Sequence, residues 1–243
     1  MKITFLGTSH GVPEVGRKCA CILITVGKNR YFIDMGMQVN DYLIDNGIDF
    51  DSVKGVFISH MHGDHTHGLP AFIDLADWYF KAYSPKFLLP RESGVKTICD
   101  WIEANRVYSC ENKFPLKADI SSFGEGKIFD DGIIWVYAKQ NQHIADSYSF
   151  LICAEDKRIL YTGDMKNPQI DFPLSLVGDG VDLLICEGVH FPLIDYTDVL
   201  KNLPVKKIYV THYMQKRMNE IENLSAAVQK EICVATDGLE TLL

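Results

Sequence analysis

The chain has 243 residues, 47% hydrophobic and 23% charged, enough to bury a sizeable core with a balance ordinary for globular proteins. Its formal charge of −8 argues against a surface that blankets nucleic-acid phosphates, so stable nucleic-acid binding is not expected and a small substrate fits better. No stretch approaches the roughly 18 apolar residues of a membrane span. The apolar run before Gly7 is too short for a secretion signal, and seven scattered cysteines do not make a disulfide framework, so a reducing cytoplasm is the expected location.

Apolar alternation predicts strands at Ile3–Leu6, Ala20–Val26 and Arg30–Asp34, with a turn at Gly27 to Asn29, then a helix over Gln38–Asn46. A strand at Val53–Ile58 runs into a histidine-rich loop, and a helix rich in aromatics is expected from Thr66 to Tyr83. Between Ser84 and Asp131 only a strand at Phe87–Leu89 and a helix over Ser93–Asn105 stand out, and 105–131 gives no clear pattern. Strands are expected again at Ile133–Ala138, Tyr148–Ala154 and Arg158–Thr162, with a turn at Glu155 to Lys157. The chain then reads strand, helix, strand, helix over Val181–Cys186, Asp195–Lys201, Lys206–Thr211 and Asn219–Lys230. Nothing resembles a linker or a repeat, so 1–243 is expected to be a single domain. Two sheets with helices on both outer faces would use all these elements in a four-layer α/β sandwich.

The loop after Ile58 places His60, His62, Asp64 and His65 within six residues. Neutral imidazoles and carboxylates are the ligands that zinc and its neighbours take, and this density argues against incidental histidines on a polar loop. Three further candidates follow apolar strands: His143, Asp164 and His212. Each alone would read as a loop or capping residue; together they can converge, because a sheet scaffold gathers the loops at its strand ends. Cys19 and Cys21 are two apart, but they enter a strand with no second pair nearby, which favours buried free thiols over a metal hook.

The His-x-His-x-Asp-His run, His143, Thr162-Gly163-Asp164 and Thr211-His212 together resemble the ligand set of the metallo-β-lactamase superfamily. Phe5-Leu6-Gly7-Thr8 with Gly11-Val12-Pro13, Ile33-Asp34-Met35-Gly36 and Asp237-Gly238 resemble its ribonuclease Z and cyclic-phosphodiesterase branch, and the likeness covers essentially the whole chain. It implies an αββα sandwich of two mixed sheets. His60, His62 and His143 would hold one divalent ion, Asp64, His65 and His212 a second, with Asp164 bridging and Asp34 orienting the histidine loop by hydrogen bonds. Zinc is the first choice of metal, with manganese and iron as alternatives.

Two such ions would activate a shared water at neutral pH and clamp phosphoryl oxygens, and the resemblance at Phe5 to Thr8 implies a hydrolase acting on small anionic phosphodiesters, cyclic ones among the candidates. The helix after Asp64 would add a positive dipole end. Asp64 and His190 are the catalytic candidates, His190 as proton donor to the leaving oxygen. Where ribonuclease Z relatives read His-Glu-Ala-Thr, this chain has Cys186, with His190 four residues later, so the identity of the acid stays open; His10 is a candidate to face substrate, and His67 reads as surface. A ribonuclease Z-like RNA endonuclease is the main alternative, but the long tRNA-clamping arm of that family would have to fit between His143 and Asp164, where only residues 144–163 stand. After His143 the branch often has Gly-Tyr, whereas this chain reads Asp146-Ser147-Tyr148, which points to a different pocket shape. A lactonase or thioesterase stays open, a non-catalytic metal-binding module is disfavoured because no ligand is missing, and a homodimer is left open.

Overall fold

The computed structural model describes residues 1–79, 85–109, 112–113 and 116–243. Sixteen strands are described, fourteen of them in two seven-stranded sheets. The first runs β16 (Glu240–Leu242), β1 (Lys2–Gly7), β2 (Cys21–Val26), β3 (Asn29–Ile33), β4 (Val53–Phe57), β5 (Lys86–Leu89), β8 (Asp119–Ser122). The second runs β15 (Ile232–Val234), β14 (Val205–Tyr213), β13 (Val181–Gly188), β12 (Lys157–Tyr161), β11 (Tyr148–Ala154), β10 (Trp135–Gln140), β9 (Gly126–Asp130). β6 (Val107–Ser109) and β7 (Asn112–Lys113) form a separate ribbon.

Both sheets are mixed in the same way. From β16 to β3, and from β9 to β12, neighbours are antiparallel; from β3 to β8, and from β12 to β15, they are parallel. Tight hairpins join β2 to β3 and β11 to β12 in the antiparallel half, and the β11–β12 turn places Glu155 and Asp156 both at positive φ, as a two-residue hairpin with strand-matched twist requires. The parallel strands need crossovers, and these carry the helices.

Side-chain alternation sorts the apolar residues into three layers. Ile3, Phe5, Ile22, Ile24, Tyr31 and Phe57 meet Val136, Phe150, Ile152, Tyr161, Leu183 and Ile185 between the sheets. The opposite face of the first sheet packs Leu23, Phe32, Val56 and Phe87 against α1 (Val39–Asp45), α3 (Leu69–Tyr79) and α4 (Glu92–Asn105). The opposite face of the second packs Leu160, Leu184, Ile208 and Val210 against α6 (Thr197–Asn202) and α7 (Met218–Val228). This is the four-layer αββα sandwich of the metallo-β-lactamase fold. Among the described residues no helix is long and apolar enough to cross a membrane.

The single helix expected over Thr66–Tyr83 is two pieces: α2 (Gly63–Thr66), then α3, with 80–84 outside the described residues. The break is at Gly68, whose N–H donates to the carbonyl of Met35 at 2.8 Å, so the chain turns to dock on the loop after β3 instead of continuing a helix. α2 begins before Asp64 and is one turn long, which removes the expected dipole contribution of a helix starting after it. Pro168–Asp171, α5, is a further short helix that the sequence pattern did not suggest.

A Cβ on Gly68 would fall 1.8 Å from the Met37 carbonyl oxygen, whereas one on Gly124 meets nothing within 4 Å. Gly68→Ala should therefore destabilise by about 2–3 kcal/mol in denaturant unfolding, with Gly124→Ala near neutral; equal effects would contradict the docking constraint.

Candidate metal centre

The C-terminal ends of strands from both sheets meet at one edge of the sandwich. Asp34 follows β3 directly and sits at φ +56, and β4 leads into Ser59 through His62 and on to α2 with Asp64 and His65. From the other sheet come His143 in the β10–β11 loop, Asp164 after β12, Glu187 near the end of β13, His190 just beyond it, and His212 in the last turn of β14. A backbone bond from Tyr148 N–H to the Ser59 carbonyl, 3.0 Å, ties the two sets of loops together.

Asp34 is 1% exposed and every oxygen of its carboxylate is engaged. Oδ1 accepts from Ser59 N–H at 2.7 Å; Oδ2 accepts from Ser59 Oγ at 2.9 Å and from the Tyr161 hydroxyl at 2.8 Å, and lies 2.8 Å from His65 Nδ1. Bonding at Nδ1 turns His65 Nε2 towards the site, the usual way a carboxylate fixes the orientation of a ligating imidazole. The loop can lie this close because Gly36 has no side chain: a Cβ there would fall 1.7 Å from the Asp64 carbonyl oxygen.

All seven residues singled out as ligands converge. His60, His62, His143 and Asp164 each offer one ligand atom, mutually within 4.8 Å, and so do Asp64, His65 and His212. His62 Nδ1 lies 3.0 Å from His60 Nε2 and 3.3 Å from His143 Nε2; His212 Nε2 lies 3.0 Å from Asp64 Oδ2 and 3.4 Å from His65 Nε2. Asp164 Oδ2 stands between the groups, 3.6 Å from His60, 3.5 Å from His65 and 3.8 Å from His143. The two 3.0 Å contacts are hydrogen-bond distances, but the spacings of 3.3–3.8 Å are long for hydrogen bonds and are close to those of donor atoms sharing an ion: ligands at roughly 2.0–2.2 Å from a tetrahedral metal lie about 3.3–3.6 Å apart. Asp164 Oδ1 and His212 Nδ1 are buried and have no hydrogen-bond partner among the described residues, a costly arrangement for polar atoms unless something else meets them. The donor set and its spacing fit divalent metal.

Electrostatics favours the ligating forms of His60, His143 and Asp64, whereas at His65 burial is outweighed by the charges and hydrogen bonds of Asp164 and Asp34, which raise the pKa well above the usual value, so that ring must release a proton to bind metal. Burial, then the neighbouring His65, holds His60 down to about 2 against the pull of Asp164, and burial lowers His143 to about 4, so both rings present neutral lone pairs. Burial opposes ionisation of Asp64, but the His212 hydrogen bond and the charges of His65 and His212 outweigh it and keep the carboxyl well below its usual range.

His190 lies at the rim. Its Nε2 is 3.7 Å from Asp164 Oδ2, its side chain is 31% exposed, and its Nδ1 bonds Glu187 Oε2 at 2.8 Å. Glu187 is 1% exposed and also accepts from the backbone N–H groups of Met165, Val189 and His190. Burial lowers the His190 pKa, but the bond and charge of Glu187, with Asp164, more than compensate and raise it. Sequence reasoning missed Glu187. The signal was there: a glutamate closing the apolar run Val181–Cys186 is buried by the strand and must find partners. His10 lies in the first loop with Nδ1 accepting from Val12 N–H at 3.3 Å, and His67 is exposed. Cys19 and Cys21 are buried free thiols.

Fold and site together define a protein of the metallo-β-lactamase superfold. Within it the chain belongs to the Anti-Pycsar protein Apyc1 family, whose model matches residues 1–232. It is similar to a ribonuclease Z of Picrophilus torridus, 29% identical over 174 residues that make up 71% of this chain and 53% of the relative, so the chain spans about half the length of the curated relatives it matches. The metallo-β-lactamase fold protein YhfI of Bacillus subtilis superposes over 99% of both chains with a TM-score of 0.77 at 15% identity. The short form of human tRNase Z covers 100% of this chain and 99% of its own with a TM-score of 0.69 at 20% identity.

Asp34→Asn, which keeps the size but weakens the hold on His65, should lower divalent-metal affinity by about 10- to 100-fold in competition with a chromophoric chelator. Circular dichroism should show the fold retained; wild-type affinity in a folded variant would contradict the orienting role.

Proposed function

We propose that the chain is a dinuclear metal-dependent hydrolase of small anionic phosphodiesters, cyclic ones included, working as one domain over 1–243. The observation that carries this is Asp164 Oδ2 lying within 3.5–3.8 Å of nitrogens from both ligand groups, the position of a bridging carboxylate. His60, His62 and His143 would hold one ion and Asp64, His65 and His212 the other, with Asp164 shared. Zinc is preferred, and manganese or iron would suit the same imidazoles and carboxylates. When bound, two such ions activate water as a nucleophile and stabilise charge on phosphoryl oxygens.

The chain's own residues supply the rest. Glu187 takes the Nδ1 proton of His190 in a hydrogen bond and fixes the ring, leaving Nε2 directed at the centre. A proton carried on Nε2 passes from there to the leaving oxygen as the P–O bond breaks. Asp64 is held ionised beside His212 and serves as ligand, not as acid. A small substrate is favoured over RNA because β11 and β12 take up most of the span between His143 and Asp164, where a clamping arm would have to emerge, and because the net charge is −8.

Metal-stripped protein reloaded with zinc or manganese should hydrolyse bis-p-nitrophenyl phosphate and cyclic nucleotide diesters, and leave lactones and thioesters intact. Cleavage of acyl esters alone, or of a tRNA precursor alone, would overturn the substrate assignment. His190→Ala should leave the rate nearly unchanged for a p-nitrophenolate leaving group and cut it by about 10²–10⁴-fold for an alkoxide. An unchanged alkoxide rate would remove His190 from the mechanism.

A further inference from the structure

His212 is held in a backbone conformation that it would not choose. Its φ is +49, in the left-handed region, and it is the extra residue of a bulge: Glu187 pairs with Thr211 while Gly188 pairs with Tyr213. Bulges re-aim side chains, and this one turns the His212 ring out of the β13–β14 ladder and towards Asp64 and His65. Such strain persists only where the surroundings over-determine it.

The surroundings here are the first loop. Tyr213, the residue after the bulge, is 1% exposed and bridges to Ser9. The Arg17 guanidinium lies 3.7 Å from the centre of the Tyr213 ring and donates from Nη1 to the Tyr213 carbonyl at 3.0 Å. The same guanidinium bonds Thr8 Oγ1 at 3.1 Å, the Thr8 carbonyl, and Glu14 Oε2 at 2.6 Å. Glu14 in turn accepts from Gln215 N–H at 2.9 Å, two residues past Tyr213. Asp237 fastens the base of the loop, taking N–H groups from Thr8 at 3.0 Å and Lys18 at 2.7 Å. On the far side Gly188 makes room: a Cβ there would fall 2.9 Å from the Cβ of Tyr213.

We infer that Arg17 is a positioning residue for His212: by clamping Tyr213 from ring and carbonyl at once it keeps the bulge strained and the imidazole aimed at the ion shared with Asp64 and His65. Arg17 is nowhere in contact with the ligands among the hydrogen bonds and ion pairs it makes, so it acts indirectly, through Tyr213 and, by way of Glu14, through Gln215. Its loss loosens one side of the centre and leaves the His60, His62 and His143 side as it was. This rests on the two-ion reading above.

The test is a cobalt titration of metal-stripped wild type, Arg17→Ala and Arg17→Lys, followed by visible d–d absorption and metal analysis, with circular dichroism and thermal unfolding of the metal-free proteins. Wild type should take two equivalents. Arg17→Ala should take the first as wild type does and the second at least tenfold more weakly, with altered d–d bands. Arg17→Lys should fall between, because an ammonium keeps the charge but not the planar fork that reaches Thr8 and Tyr213 together; it also serves if the alanine variant does not fold. Two wild-type equivalents in both variants, or equal weakening of both equivalents alongside a lower unfolding temperature, would overturn the inference and leave Arg17 an ordinary structural arginine. A wild type that takes only one equivalent defeats the two-ion reading itself, which no result from the variants can imitate.

Discussion

The carboxylate of Asp164 is the feature on which the rest of the centre depends. It is 2% exposed, and a buried carboxylate costs several kcal/mol unless charge or hydrogen bonds meet it. Here imidazoles meet it instead, from His60 and His65 on one sheet and His143, His190 and His212 on the other, all at 3.5–3.8 Å. No single sheet could supply that ring. The sandwich is therefore not merely a support for the site: packing the two sheets face to face brings the loops of β3 and β4 against those of β10 to β14, and the ligand set exists only where they meet.

Asp34 is the counterpart in the first sheet. It accepts the hydroxyl of Tyr161 from β12 while bonding Ser59 and His65 of its own sheet, so each sheet contributes one buried carboxylate that the other helps to satisfy. Cross-bracing of this kind explains why close backbone approaches gather here. Gly36 and Gly68 let the loop after β3 lie against Asp64 and the start of α3, and the fixed loop in turn fixes where His60 to His65 point. The rim is built differently. His190 leans on Glu187 and His212 on a strained bulge, so the placement of both rings depends on what holds the loops after β13 and β14.

Much of this was legible in the sequence because central strands and ligand loops carry strong signals. β2, β4, β11 and β13 are buried on both faces and read as short apolar runs, and His60 to His65 declared themselves by density. Four of the six strands that were missed share a physical cause. β8, β9, β15 and β16 are the four edges of the two sheets, and β16 was hinted at only by its Asp237-Gly238 turn. An edge strand needs few buried side chains: β8 reads Asp-Ile-Ser-Ser and only Ile120 of it packs against the core. The helix break at Gly68 was hidden because its reason is a long-range contact with the chain near Met35, not a local preference. Glu187 and Arg17 were passed over for the same reason. Each acts through a partner distant in sequence or through a neighbour's backbone, and neither lies in a motif dense enough to stand out.

The claim that organises all of this is a two-ion centre bridged by Asp164, and anomalous diffraction at the zinc edge from crystals of zinc-loaded protein addresses it directly. Two peaks about 3.5–4 Å apart are expected, one among His60, His62 and His143, the other among Asp64, His65 and His212, with Asp164 between them. A single peak, or two peaks of which one lies away from Asp164, would contradict the account.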